Sequence, residues 1–155
     1  MTALISFWPS IYDKIANQIK LIEYRRNFPT ECSWAYMYVS KPTKAICGII
    51  YFNKKHSLQE WANQYKNNPE ITERISSYSQ TYRYGIEISG FQRIHPITLD
   101  ELRANVPNFV APQSYFILKN NPILEKYIQQ NTRKIGPKTN NDLTNIFPEN
   151  ICKEY

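Results

Sequence analysis

Residues 34–39 read Trp-Ala-Tyr-Met-Tyr-Val, so that Trp34, Tyr36 and Tyr38 alternate with Ala35, Met37 and Val39. Successive strand side chains point to opposite faces, and here both faces carry apolar or aromatic groups that need cover. Residues 45–52 follow as the longest apolar run of the chain. Gly48 within it predicts a bulge or the close approach of another backbone. The period-two pattern returns at Tyr82, Tyr84, Ile86 and Ile88, with Arg83, Gly85 and Glu87 between them. That third segment predicts a strand with one core face and one polar face.

Between these runs the chain is punctuated by helix starts. Residues 3–7 read as a short buried strand that stops at Trp8-Pro9. Ser10 with Asp13 is a variant capping box, and Ile11, Tyr12, Ile15, Ala16 and Ile19 share one helical face, predicting a helix over 11–18. Ser57 with Glu60, Asn68-Pro69, Thr98 with Glu101, and Asn121-Pro122 mark further starts. The two middle helices read as an insertion between strands, with Trp61, Tyr65, Ile71 and Ile75 turned inward. A strand at 115–118 and a helix to about residue 130 complete the order. It predicts an α+β fold, a small mixed β-barrel with flanking helices, over residues 1–130. Residues 131–155 turn rich in Asn, Thr and Lys and predict a loosely held C-terminal tail, with Ile146, Phe147 and Ile151 able to dock.

The 155 residues suffice for one core without disulfide staples. Lys and Arg number 19 against 13 Asp and Glu, and the formal charge of +6 favours a polyanionic partner. Cys32, Cys47 and Cys152 form no C-x-x-C pair, and neither His56 nor His95 has a ligand at metal spacing, so no cofactor or metal is expected. The start lacks a signal-peptide pattern and no run is long enough to span a bilayer, which makes the cytoplasm the expected location. Trp8 and Trp61 are expected to be core anchors, and His56 an exposed residue ahead of a helix cap. Arg83 and Arg93 are expected to be solvated or to extend a basic face.

The densest charged motif is Lys20-Leu21-Ile22-Glu23-Tyr24-Arg25-Arg26. Glu23 and Arg25 share a face at i and i+2, whereas Lys20 joins them only if it lies in the turn before the strand. Glu23 and Arg25 then either pair with each other or meet a ligand. Ile5-Ser6-Phe7-Trp8-Pro9, Lys20-x-x-Glu23-x-Arg25, Tyr38-x-Ser40-x-Pro42, Ile46-x-Gly48 and Pro112-Gln113-Ser114-Tyr115 together resemble the ASCH domains of the PUA-like superfamily. They are most similar to the branch of predicted transcriptional regulators. The resemblance covers about residues 3–130. It implies a small barrel with a cleft beside the Lys-x-x-Glu-x-Arg segment, suited to RNA or a modified base.

Under that resemblance the binding residues are Lys20, Glu23, Arg25, Arg26, Tyr38, Ser40 and Lys41. Cations meet phosphates or a base edge, aromatics stack on an unpaired base, and Glu23 accepts from an exocyclic amino group. An amidohydrolase or ribonuclease, as relatives in the family are, would draw on Lys20, Glu23 and Glu87. Here Glu23 stands where the hydrolases carry threonine, and no hydroxyl nucleophile follows Lys20. A protein-interaction module with a vestigial cleft is the third class. RNA or a nucleotide is the expected partner, and no membrane.

Overall fold

A computed structural model describes residues 1–155. The strands are β1 (Thr2–Phe7), β2 (Ile22–Arg25), β3 (Trp34–Val39), β4 (Ala45–Ser57), β5 (Tyr84–Thr98), β6 (Tyr115–Ile117) and β7 (Lys134–Asn140). The helices are α1 (Pro9–Ala16), α2 (Leu58–Gln64), α3 (Pro69–Tyr78), α4 (Leu99–Asn105) and α5 (Pro122–Asn131). One sheet runs β2-β5-β4-β3-β1-β6, with β7 also on β5. Only β1 and β3 are parallel; every other pair is antiparallel. The predicted α+β class holds, as a sheet curled into a half-barrel with helices around it.

Two long bulged strands produce the curl. The β4–β5 register slips between Ile46 and Gly48, between Tyr51 and Phe52, and again between Phe52 and Lys55. Each bulge adds local twist and bends the sheet. Gly48 sits at a register slip, and a Cβ there would stand 3.2 Å from the Gln92 carbonyl oxygen of β5 and 2.8 Å from the Phe91 ring. Along one edge, β5 offers its first half to β2 and its second half to β7. Gln92 bridges the irregularity opposite β7, donating to the carbonyls of Arg93, Ile135 and Gly136.

Alternation along β1 separates two layers. Ala3, Ile5 and Phe7 face the interior of the curl with Met37, Ile50, Ile86 and Ile88, under α1 through Tyr12 and Ile15. Leu4 faces outward with Tyr36, Tyr38 and Ile46, under α4 and α5. A third cluster joins Ile22 and Tyr24 of β2 to Leu58, Trp61, Ile71 and Ile75 of α2 and α3, and to Ile151 and Cys152.

The helix caps behave locally, as their spacing demands. Ser57, Asn68, Thr98 and Asn121 each accept from the backbone N–H three residues on. The Ser10 cap does not form. Pro9 takes the first helical position, where its missing N–H costs nothing, so Trp8 becomes the N-cap and uses only its backbone. The α1 helix accordingly runs two residues earlier than the periodicity predicts.

Four expectations are corrected. The Gly85–Glu87 face of β5 is not polar and open, because α2 covers it: a Cβ on Gly85 would come within 2.6 Å of Trp61, and Glu87 is buried. His56 is buried too, stacked on Trp61 with ring centroids 4.8 Å apart. Trp61 is a core anchor, but Trp8 is 73% exposed. Residues 131–155, read as a loose tail, supply β7, while Ile146 and Ile151 are buried, as the sequence allows. No helix is long and apolar enough to cross a membrane.

Candidate functional site

The α1 helix ends in a turn that sets the position of Lys20. Gln18 adopts a left-handed φ of 59°, and the backbone N–H groups of Ile19 and Lys20 both donate to the Lys14 carbonyl. Lys20 thus lies in the turn and not on the strand, and its amine reaches Glu23 despite the three-residue spacing. Lys20 Nζ stands 3.8 Å from Glu23 Oε1, and Arg25 Nη2 stands 3.6 Å from Glu23 Oε2. Both cations thus flank one carboxylate on the interior side of β2.

Each member is held by more than its charge. Arg25 Nη2 donates to the Ser6 carbonyl at 2.7 Å, and its guanidinium lies 4.9 Å from the Phe7 ring centre. Lys20 Nζ sits 5.0 Å from the Tyr24 ring centre and 5.9 Å from that of Tyr155. The Tyr24 hydroxyl accepts from Cys152 N–H at 2.6 Å and donates to the Asn150 carbonyl, so the C-terminal segment fixes that ring. Burial lowers the pKa of Lys20, the nearby Arg25 and Lys14 lower it further, and Glu23 opposes them.

Glu23 is the incomplete member. Its Oε1 accepts from Tyr24 N–H at 3.0 Å, while its Oε2 is buried with no hydrogen-bond donor. Buried polar atoms in folded proteins nearly always have partners, and a carboxylate only accepts, so the atom calls for an N–H or O–H donor.

Glu87 stands apart from this cluster. Glu23 pairs in register with Ile86, and neighbouring residues of β5 face opposite ways, so Glu87 points to the far side of the sheet. There its Oε1 accepts from Asn53 Nδ2 at 2.8 Å and its Oε2 contacts His56 Nε2 at 2.5 Å. The bulge between Phe52 and Lys55 makes this possible by bringing Asn53 to Glu87. That bulge also breaks the apolar run, so the sequence hides that the strand continues to His56.

The remaining predicted residues disperse. Arg26 and Lys41 are exposed and Ser40 half-buried, but Tyr38 is buried in the outer layer under α4. An open pocket of about 320 Å³ is lined by Phe28, Pro29, Cys32, Asn53, Lys55 and Ile86 among others. Ile86 lies between Glu23 on β2 and Lys55 on β4 in one cross-strand row, so this pocket adjoins the charged cluster. Arg83 is exposed, and its backbone N–H donates to the Arg25 carbonyl. No group of three or more His, Cys, Asp or Glu side chains stands close enough to hold a metal ion.

The sheet is a half-barrel with a buried charge cluster at one side of its interior. No family model matches the chain. It is 28% identical over 129 residues, 72% of this chain and 80% of the other, to a Zymomonas mobilis protein named ASCH domain-containing ribonuclease. The crystal structure of the ASCH protein from Zymomonas mobilis superposes with a TM-score of 0.64 at 23% identity, covering 87% of this chain and 98% of that one. A mutant form of that protein gives a TM-score of 0.63 at 22% identity, covering 85% and 96%. The chain carries the ASCH domain fold.

Proposed function

We propose that this domain binds single-stranded RNA and reads a nucleobase at Glu23, flanked by Lys20 and Arg25. The observation that carries the reading is the Glu23 carboxylate held between Lys20 and Arg25, with the guanidinium covering Oε2 from 3.6 Å, so that a base reaches that oxygen as the Arg25 side chain moves aside. A phosphate cannot satisfy that atom, because it too is an acceptor and is repelled by the carboxylate. The exocyclic amino or ring N–H of an unpaired base can. Exposed Arg26 and Arg83 and the excess of positive charge then serve the backbone phosphates. A modified base is a ligand of the same chemistry when it keeps such a donor. A reader without turnover suits transcriptional or translational regulation, in which occupancy of a transcript is itself the output.

The test is binding of short unstructured RNA across a salt series, with heparin as the competitor control. Affinity that falls with salt and that changes its base preference in Glu23→Gln supports the reading. Absent binding at low salt, or equal affinity for heparin, removes it.

A ribonuclease is the second reading, favoured by the name of the Zymomonas mobilis relative. In it Lys20, whose charged form is disfavoured by burial, takes a proton from the attacking hydroxyl and Arg25 steadies the phosphate. Glu87 has no part in that scheme, since it faces away. Release of RNA fragments by wild type and not by Lys20→Ala supports turnover; the same assay on acylated cytidine tests the amidohydrolase alternative.

A further inference from the structure

Trp8 is the most exposed large hydrophobic side chain of the chain, at 73%. Its side chain does no capping: the α1 N-cap uses the Trp8 carbonyl, which accepts from Tyr12 N–H. Single exposed apolar residues are ordinary on protein surfaces, but this one follows the strand end that is bonded to the basic turn at residues 40–44. The two residues before it have their carbonyls taken, Ser6 by Arg25 Nη2 at 2.7 Å and Phe7 by Ser40 N–H at 3.0 Å. The first bond ties the Glu23 cluster to this end of β1. The second ties the turn at residues 40–44, whose Lys41 and Lys44 are exposed, to the same end.

We infer that Trp8 is a stacking platform for an unpaired base of single-stranded RNA, with Lys41 and Lys44 holding the adjoining phosphates. Pro9 fixes the backbone that presents the indole, and a rigid aromatic face accepts any base without a hydrogen-bond code. An exposed ring next to a turn that carries two exposed lysines offers a base and its adjoining phosphates separate contacts. The inference rests on the RNA reading and assigns it a second contact, outside the Glu23 cluster.

The experiment is a titration with an unstructured uridine octamer, followed by tryptophan fluorescence and by anisotropy of a labelled octamer, at several salt concentrations. Of the three tryptophans, Trp61 is buried and Trp34 half-buried, so quenching on binding is expected to come from Trp8. Trp8→Ala is expected to weaken binding about tenfold, lose the quench and keep the wild-type salt slope. Trp8→Phe weakens it less. Lys41→Gln with Lys44→Gln keeps the quench and flattens the log–log slope by about 1.4. A thermal midpoint at the wild-type value confirms that the Trp8 variants are folded. If wild type binds and Trp8→Ala binds equally well, the platform is overturned and the RNA reading stands. If wild type fails to bind the octamer at low salt, both fall.

Discussion

Glu23 and Glu87 lie on neighbouring strands, are each 6% exposed, and have opposite fates. Glu87 is fully served, by Asn53 on one oxygen and His56 on the other, beneath Trp61 and Phe147. Glu23 has two cations near it but leaves one oxygen without a donor. A buried carboxylate whose lone pairs are used is a structural tie, because burial without partners costs several kcal/mol. One held between cations with an oxygen short of a donor is the carboxylate to which the proposed reading assigns a ligand. Charge density in the sequence does not separate the two; completeness of the hydrogen bonding does.

The largest effect expected from this contrast is on stability. Glu87→Ala removes both of its hydrogen bonds and leaves His56 buried without a partner, which is expected to cost about 3–5 kcal/mol. Denaturant unfolding measures it, and RNA affinity of the remaining folded fraction is expected to stay at the wild-type value. A mild change in stability coupled to lost binding would reverse the roles assigned to the two carboxylates.

Arg25→Ala is next, with binding as the main readout. Loss of a charge-assisted hydrogen bond to the ligand is expected to cost about 1.5–3 kcal/mol of RNA affinity. Arg25→Lys is expected to rescue poorly, since an ammonium cannot keep the Ser6 carbonyl, the Phe7 face and a ligand together. Wild-type affinity in Arg25→Ala would sink the site.

Glu23→Gln probes the incomplete oxygen directly. An amide oxygen can keep the bond from Tyr24 N–H while the amide nitrogen replaces the acceptor at Oε2. Stability is expected to change by about 1 kcal/mol. Preference among homopolymeric RNAs is expected to change more visibly, because a donor now meets the base edge. An unchanged preference would make Glu23 a structural residue like Glu87.

The smallest effect is a slope against pH. Burial lowers the Lys20 pKa in the folded chain below its ordinary 10.5. Between the lowered value and 10.5 the unfolded chain binds more protons, so the Lys20 contribution to stability rises with pH through that window and is complete above it. Below the folded value the cost of burying the cation is present in full. Lys20→Met is expected to remove this rise, read as the difference from wild type in melts across the alkaline range. Buried tyrosines lose stability there in both proteins and cancel in the difference.

Much of the frame was legible in advance. The helix starts at Ser57, Asn68, Thr98 and Asn121 follow from interactions within a few residues, and the strand at 34–39 and the bulge at Gly48 from residue pattern. So does the turn position that Lys20 needs to meet Glu23. The site was harder to read, because Glu87 looked like its partner and proved to face away. His56 was read as exposed because Asn53, Lys54 and Lys55 interrupt the apolar run at a bulge.

The sequence by itself determined the order of elements, the caps and the charged motif on β2, since these depend on spacing along the chain. Tertiary structure alone decided which faces were covered. Trp61 seals the Gly85–Glu87 face from 24 to 26 residues earlier in the chain, Cys152 fixes Tyr24, with which it pairs across 128 residues, and Trp8 is left outside. Local spacing specifies a hydrogen bond to the next turn. It carries no information about which distant side chains complete a buried carboxylate, and that completeness is what separates Glu87 from Glu23.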